Sequence, residues 1–226
     1  MMDPELDNPF WSSLASRHQA LALRIGDIAR FPAAHAPFLG VADAGVDTGS
    51  ALELLVAPGE TVYLLGVAPR EVPPGWRLEP LPELAQMVCP SKVRPVDGEP
   101  VVPLSDSHRD DVLALTALVY PHYFRPRTME LGRYFGIYRE GRLAAMIGER
   151  LGTDRQQEIS AVCTHPDFLG RGHARQLLAW LSNDVHDRGR LPFLHVSRDN
   201  ARAMRLYERN GYRLRRTIPF WSLRRG

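Results

Sequence analysis

The segment 159–178 constrains this chain more than any other part of it. An apolar stretch leads through Gly170-Arg171-Gly172 into residues with the apolar spacing of an amphipathic helix, which predicts a strand, a loop and a helix. The first N–H groups of a helix have no intrahelical partner, and the helix dipole adds positive charge there. Gly170 and Gly172 lack a Cβ, so a bulky anion can approach the main chain. The segment therefore predicts a site for a phosphate-bearing ligand.

Two common phosphate-binding loops do not fit this spacing. A Walker loop needs a lysine and then a serine or threonine after its glycines, where this chain has His173 and Ala174. A dinucleotide-binding fingerprint needs a third glycine, and Arg175 stands at that position. Both classes of nucleotide-binding loop are therefore excluded.

A second motif follows in the region 191–212. Residues 191–197 are typical of a short buried strand, and Asp199–Asn200 can cap a helix that ends at Asn210–Gly211. Within this helix Asn200, Ala203 and Tyr207 are spaced i, i+3 and i+7, so they share one helix face.

Together the two motifs resemble the GCN5-related N-acetyltransferases (GNAT). The coenzyme A pyrophosphate loop of that family has the pattern Gln/Arg-x-x-Gly-x-Gly/Ala; Gly172 and Ala174 match it, and Leu169 stands at the Gln/Arg position. Residues 200–212 match the family signature N-x-x-A-x-x-x-Y-x-x-x-G-F/Y. The resemblance covers roughly residues 100–226.

The resemblance implies an α/β (α+β) fold with a mixed, mostly antiparallel sheet and flanking helices. It makes residues 92–226 the N-acetyltransferase domain. Residues 1–91 resemble the degenerate first half of the two-part, glycine N-acyltransferase-like branch, and an unrelated small cap is the alternative. This first part is expected to shape the acceptor side or a homodimer surface, without binding coenzyme.

The implied activity is transfer of an acetyl (acyl) group from acetyl-CoA to a primary amine by direct attack on the thioester. The acceptor would be a small-molecule amine or a protein amino group. A catalytically silent, coenzyme A-binding regulatory or scaffold module is the alternative function. The acceptor and the acyl chain length stay open.

The resemblance also implies roles for individual residues. The main chain of the strand before the loop would pair with the pantetheine arm through Val162, Cys163 and Thr164. The loop would hold the pyrophosphate through Leu169, Gly170, Arg171, Gly172, His173, Ala174 and Arg175. Asn200 would contact pantetheine, Ala203 would keep the helix close to the coenzyme, and Tyr207 would protonate the departing thiolate. Arg171 and Arg175 could instead be solvated helix-end residues, and Tyr207 a half-buried packing residue.

Two glutamates are candidates for the catalytic base. If the hairpin turns near Thr153–Asp154, Glu149 and Glu158 lie opposite each other on adjacent strands and share one face. Repulsion between them would raise the pKa of one carboxyl, which could act through water; Glu158 is the first choice. The alternative pairs them with arginines such as Arg150, although Arg150 is expected to face the other way.

Charge is divided unevenly along the chain. Residues 1–91 hold five arginines and eleven acidic side chains, and residues 92–226 hold twenty-three basic and fifteen acidic ones. Net charges of −6 and +8 follow, and the positive part carries the phosphate motif, as expected for a polyanionic coenzyme. Nucleic-acid binding is not predicted, because no recognition helix, zinc finger or RNA-binding aromatic strand accompanies the arginines.

Composition limits which classes of protein this chain is expected to belong to. The two cysteines lack a CxxC spacing and the eight histidines show no ligand spacing, so we expect no disulfide framework and no metal. No apolar run approaches the roughly 20 residues that span a bilayer. The acidic first residues lack the features of a secretory signal, so a cytoplasmic location is expected.

The spacing of the apolar residues in the first part predicts a helix from Asn8 to about Arg30. Ten of the nineteen prolines lie between residues 58 and 103. That density predicts an irregular, winding connection there.

Overall fold

The computed structural model describes residues 3–120 and 123–225. Its α-helices are α1 Pro4–Asp7, α2 Pro9–Ala15, α3 Ala51–Leu55, α4 Arg109–Val119, α5 His173–Asp187 and α6 Ala201–Arg209. Its strands are β1 Leu23–Ile25, β2 Ile28–Arg30, β3 Leu39–Val41, β4 Thr61–Leu65, β5 Trp76–Val88, β6 Val102–Leu104, β7 Tyr134–Arg139, β8 Arg142–Gly152, β9 Gln156–Thr164, β10 Leu191–Ser197 and β11 Arg213–Arg225.

One eight-stranded sheet organises the fold, in the order β4-β11-β5-β10-β9-β8-β7-β6. Strands β9 and β10 run parallel, and the other neighbours in this sheet are antiparallel. The predicted fold class, a mixed and mostly antiparallel sheet with flanking helices, is confirmed.

Helices cover both faces of the sheet at its centre. On one face α5 packs Leu177 and Leu181 into a core with Ile147 and Ile159. On the other face the core contains Val112 and Leu115 of α4 together with Met146, Ala161 and Cys163. Helices α4 and α5 cover opposite faces of the sheet. A ligand that reaches the middle of β9 therefore lies between these two helices. Within the described residues no helix is long and apolar enough to cross a membrane.

The predicted helix from Asn8 to Arg30 is wrong beyond Ala15. The chain forms α2 and then a small sheet, β1-β2-β3. In β2 the side chain of Arg30 is only 2% exposed and donates from Nη1 to Glu60 at 2.7 Å and to the carbonyl of Leu55 at 2.7 Å. These partners lie 25 and 30 residues further along the chain. The spacing of apolar residues within the segment could not have predicted them.

The proline-rich segment also differs from its prediction, because it contains the thirteen-residue strand β5. Residues 84–88 of β5 pair with both β10 and β11, whereas residues 76–81 pair with β11. Pro80 and Pro82 lie in the part of the strand that β10 does not reach. A proline lacks the N–H needed for a second ladder, so it is tolerated where a strand behaves as an edge.

The predicted boundary at residue 91 falls just after β5. That strand lies between β10 and β11, so residues from both predicted parts contribute to one sheet. The division into 1–91 and 92–226, and the glycine N-acyltransferase-like character of the first part, stay predictions.

Gly66 offers a test of how the N-terminal helices are docked. Its φ is +87°, and a Cβ added there would lie 2.1 Å from the carbonyl oxygen of Asp7. Gly59 has a similar φ of +76°, but a Cβ added to it would meet nothing within 4 Å. Both alanine variants incur the left-handed backbone cost of about 1 kcal/mol. We expect Gly66→Ala to lose roughly 3 kcal/mol or more in total, because α1 must also move. Urea unfolding measures the free energy of unfolding of both variants. Equal losses in Gly66→Ala and Gly59→Ala would contradict this prediction.

Candidate active site

The central feature of the site is a fork between β9 and β10. The two strands pair at Leu191↔Gln156, Pro192↔Gln157 and Phe193↔Glu158. Beyond these pairs β10 continues against β5, and β9 continues against β8 as far as Thr164. One edge of β9 after Glu158 therefore has no ladder partner among the described strands. Its main-chain N–H and C=O groups can bind an extended ligand, as a missing strand would.

A bulge lies in β9 inside this fork. Met146 pairs with Cys163 and Gly148 with Ser160, so three steps on β9 face two on β8. Ala161, in the bulge, has a φ of +49°, a costly conformation for a residue with a side chain. A bulge re-aims the backbone and leaves one residue out of the ladder; here that ladder is the one with β8, in the stretch where β9 has separated from β10.

The glycine loop has the geometry that the sequence predicts. Gly170 and Gly172 have φ values of +78° and +82°, and Gly172 is the N-cap residue of α5 without a side-chain cap hydrogen bond. The N–H groups of the first turn, which begins at His173, therefore face the loop opening. A phosphate placed there meets main-chain donors and the positive end of the helix dipole.

Two connected spaces surround the fork. The inner cavity, of about 500 Å³, lies between β9, β10, α6 and the N-terminal elements. The outer groove, of about 520 Å³, runs along the glycine loop and α6. Both spaces are lined by Val162, Thr164, Asn200, Ala203 and Tyr207, so they adjoin each other at the end of β9 and the start of α6; together they are called the channel below.

Most of the predicted coenzyme-binding residues line this channel. Cys163 lines the inner cavity. The outer groove is lined by Leu169, Gly170, Gly172, His173, Ala174 and Arg175. Arg171 is not among the lining residues, and its guanidinium lies 5.0 Å above the ring of Phe168. The structure thus gathers the two motifs at one place, while their roles in binding stay predictions.

The face of α6 that the sequence singled out is directed at the channel. Asn200 caps the helix, since its side-chain oxygen accepts from the N–H of Ala203 at 3.0 Å. That bond leaves its amide group as the donor for a ligand. Tyr207 is 8% exposed, and burial raises the pKa of its phenol.

The predicted pairing of Glu149 with Glu158 is wrong. Glu149 lies opposite Ile159, and Gly152 lies opposite Gln157, so an irregularity shifts the register by one residue. Such a slip turns a side chain to the opposite face of the sheet. Glu149 points toward α5, where Arg133 donates to it at 3.1 Å and to Asp184 at 2.6 Å. The two carboxyls therefore do not repel each other.

Glu158 instead belongs to a buried ionic cluster. Arg150 donates to it from Nε at 2.8 Å and from Nη2 at 2.9 Å. His195 lies at 2.8 Å through Nδ1, and the N–H of Leu151 donates at 3.2 Å. Burial opposes ionisation, but Arg150 and His195 outweigh it and lower the pKa of Glu158. For Glu158 the expected raised pKa is wrong, and so is the expectation that Arg150 faces away from it.

The imidazole of His195 has a partner on each nitrogen. Its Nε2 lies 3.0 Å from the amide nitrogen of Gln86, whose oxygen accepts from Arg215 at 2.7 Å. Because the Gln86 nitrogen must donate, His195 accepts at Nε2 and carries its hydrogen on Nδ1 toward Glu158. This network fixes the orientation of the His195 imidazole at the wall of the inner cavity.

His195 is a site residue that the sequence argument missed, and Arg150 entered it only as an alternative partner of the two glutamates. A signal was present for His195, the polar residue within the otherwise apolar run 191–196. Tyr120 and Tyr123 also line the inner cavity, and the notion that the segment 120–131 lies over the site follows from its aromatic residues and prolines in the sequence. Pro121 and His122 of that segment lie outside the described residues.

The two cysteines and the possible metal ligands complete the set of candidate site residues. Cys89 and Cys163 are free and buried, and burial raises the pKa of Cys163 to about 12. Within residues 3–120 and 123–225 no group of three or more His, Cys, Asp or Glu side chains could hold a metal ion.

The ionic cluster gives a stability prediction. The folded-state pKa of Glu158 is lowered, so its contribution is complete above the unfolded pKa of about 4.3 and is lost as the pH falls below it. We expect Glu158→Gln to lose about 3–5 kcal/mol at pH 7, because Arg150 keeps a buried charge without its counter-ion. The difference from wild type should shrink below about pH 4.

Denaturant unfolding at several pH values measures this difference. The control is Glu79→Gln, which removes an exposed pair with Arg224 at 3.5 Å and should change stability by less than about 1 kcal/mol. A difference between wild type and Glu158→Gln that grows as the pH falls would contradict the assignment.

Comparisons with known proteins agree with this fold. Residues 134–221 match the family described as FR47-like protein. The fold is similar to that of a GCN5-related N-acetyltransferase from Kribbella flavida, with 17% identity, 92% of this chain and 93% of that chain covered, and a TM-score of 0.59. A GCN5-related N-acetyltransferase-like protein from Streptococcus suis gives 15% identity, coverage of 87% and 84%, and a TM-score of 0.53. No curated protein matched the sequence.

A stronger similarity extends over nearly the whole chain. A protein from Novosphingobium aromaticivorans, assigned to the GNAT family of acetyltransferases, shares 32% identity over 99% of this chain and 100% of that chain, with a TM-score of 0.88. The chain therefore belongs to the GNAT family.

Proposed function

We propose that the protein transfers an acetyl group from acetyl-CoA to the nitrogen of a primary amine, on a small molecule or a protein. One observation carries the proposal: the groove at the start of α5 and the cavity at the fork lie side by side and share five lining residues. A ligand with a diphosphate at one end and a reactive group at the other matches such a channel. Membership of the GNAT family supports acyl transfer from an acyl-CoA in general.

The outer groove supplies the phosphate contacts in this proposal. Main-chain groups from Leu169 to Arg175 would hold the pyrophosphate, with the first turn of α5 directed at it. Arg175, Arg202 and Arg209 border the groove and would add positive charge. Arg171 would contribute charge from above Phe168.

The fork supplies the contacts for the pantetheine arm. The unpaired edge of β9 at Val162, Cys163 and Thr164 would bind its amides as a neighbouring strand does. Asn200 would donate from its side-chain amide, and the small side chain of Ala203 would let the coenzyme approach α6.

Acetyl-CoA would supply an acetyl thioester whose carbonyl carbon the amine attacks. A nitrogen–carbon bond forms, the carbon–sulfur bond breaks, the nitrogen gives up a proton and the sulfur gains one. Tyr207 is assigned the proton donation to sulfur, because it lines both spaces and its raised pKa keeps the phenol protonated.

Glu158 is assigned a positioning role. Its oxygens accept from Arg150, His195 and the N–H of Leu151, and its lowered pKa makes it a weak base. It holds the two side chains that border the inner cavity. Glu149, on the face toward α5, takes no part in this chemistry.

The first prediction concerns coenzyme binding. Ala203→Leu would place a larger side chain in the channel, so we expect acetyl-CoA to bind about tenfold more weakly or worse. Ala201→Leu is the matched control, because Ala201 lies on the same helix, is exposed and lines neither space. Calorimetric titration measures both variants. No heat of binding with wild type, or equal affinity in both variants, would overturn the proposed channel.

The second prediction concerns the acid. Tyr207→Phe should lower kcat by about a hundredfold, the size of a typical general-acid contribution, with little change in acetyl-CoA affinity. Tyr138→Phe is the control, since Tyr138 donates to Asp111 at 2.7 Å away from both spaces. Release of free thiol measures both variants, and it also separates an enzyme from a silent coenzyme-binding module. An unchanged rate in Tyr207→Phe would remove the assignment.

A further inference from the structure

The inner cavity extends well beyond the residues that it shares with the outer groove. Its far end, called here the apolar end, is lined by side chains from the N-terminal elements, β4, β5, β11 and the segment after α4. They are Phe10, Phe38, Leu65, Leu81, Tyr123 and Phe220. None of these six lines the outer groove, so the coenzyme sites assigned above leave this end unused.

Aromatic contacts make the apolar end a packed wall. The rings of Phe10 and Phe38 are stacked with centroids 4.3 Å apart. Tyr123 lies 6.2 Å from Phe38 and 6.2 Å from Phe220. Such spacings are those of mutually supporting aromatic pairs. The shape of the wall is therefore set by ring packing, which suits a flat apolar group.

The charges near this end are already compensated. Among the described lining residues, the basic side chains are those of Arg150 and His195. The carboxylate of Glu158 lies 2.8 Å from Nε of Arg150 and 2.8 Å from Nδ1 of His195. A second ammonium or a carboxylate on the acceptor would lose its hydration without gaining a counter-ion, which is unfavourable in a buried site.

The order of groups along β9 separates the acceptor from the acyl donor. Val162 and Thr164 line both spaces, whereas Ser160, earlier on the strand, lines the inner cavity but not the outer groove. Arg150, which belongs to the cluster around Glu158, lies 4.8 Å above the ring of Phe38 at the apolar end. A long acyl chain would have to lie along this polar cluster to reach the apolar end. An amine can place its polar nitrogen at the cluster and its apolar group beyond.

We propose that the acceptor is a primary amine with an uncharged, apolar and preferably aromatic group, which binds at the apolar end. This inference rests on the proposed acetyl transfer and names its substrate class. It sets the protein apart from acetyltransferases that act on polyamines or on amino acids with a free carboxylate.

A panel of amines tests the inference on the wild-type protein. With acetyl-CoA, kcat/KM from thiol release is compared for 2-phenylethylamine, 4-aminobutyrate and putrescine. We expect 2-phenylethylamine to exceed each of the others by about tenfold or more, the discrimination that a hydrophobic pocket provides. Comparable values for the three amines would overturn the inference and leave the proposed function standing.

Two leucines of β5 test whether the preference for an aromatic amine arises at the apolar end. Leu81 lines the apolar end, whereas Leu78, three residues earlier and likewise half-buried, does not line the cavity. Leu81→Asn should reduce the preference for 2-phenylethylamine over 4-aminobutyrate by about tenfold. Leu78→Asn should leave the ratio unchanged. An equal effect of both variants would contradict the location.

A comparison of acyl donors completes the test. If hexanoyl-CoA is preferred to acetyl-CoA and Leu81→Asn abolishes that preference, the apolar end holds the acyl chain and the inference is overturned. If no amine releases thiol, the proposed function fails and this inference fails with it. Calorimetry on the coenzyme A-saturated protein adds a readout without turnover, in which 2-phenylethylamine should bind and 4-aminobutyrate should not.

Discussion

The separation of β9 from β10 is the constraint on which the rest of the site depends. A sheet normally satisfies both edges of every inner strand, and here the parallel pair lasts for three residue pairs. Beyond it the unpaired edge of β9 requires a partner that is not a strand. The bulge at Ala161 falls in this stretch, so the strained backbone and the unpaired edge lie together, as is common at functional sites.

The ionic cluster lies at the point where the fork begins. Glu158 is the last residue of β9 that pairs with β10, and its side chain contacts Arg150 of β8 and His195 of β10. One carboxylate thereby connects the three strands around the opening. A buried charge is tolerated only when its partners are in place. The cluster thus specifies the geometry of the cavity wall more than it adds to stability.

Local patterns succeeded where the chain is locally consistent and failed where distant partners decide. The glycine loop, the strand 191–197 and the cap at Asn200 depend on neighbours within a few residues, and the structure has them as predicted. The segment that forms β1 and β2 has helical spacing, yet Arg30 is held by Leu55 and Glu60. Likewise β5 exists because β10 and β11 flank it, although its prolines disfavour a strand.

The sequence by itself determined the loop beside α5 and the helix face with Ala203 and Tyr207, because these follow from residue type and short spacing. The fold family was indicated by the resemblance that these two motifs carry. The sequence did not determine which side chains meet across strands. A one-residue irregularity between β8 and β9 placed Glu149 and Glu158 on opposite faces and brought Arg150 to Glu158. Only the tertiary structure decided this register, because strand pairing depends on contacts between whole elements and side-chain direction reverses with each residue.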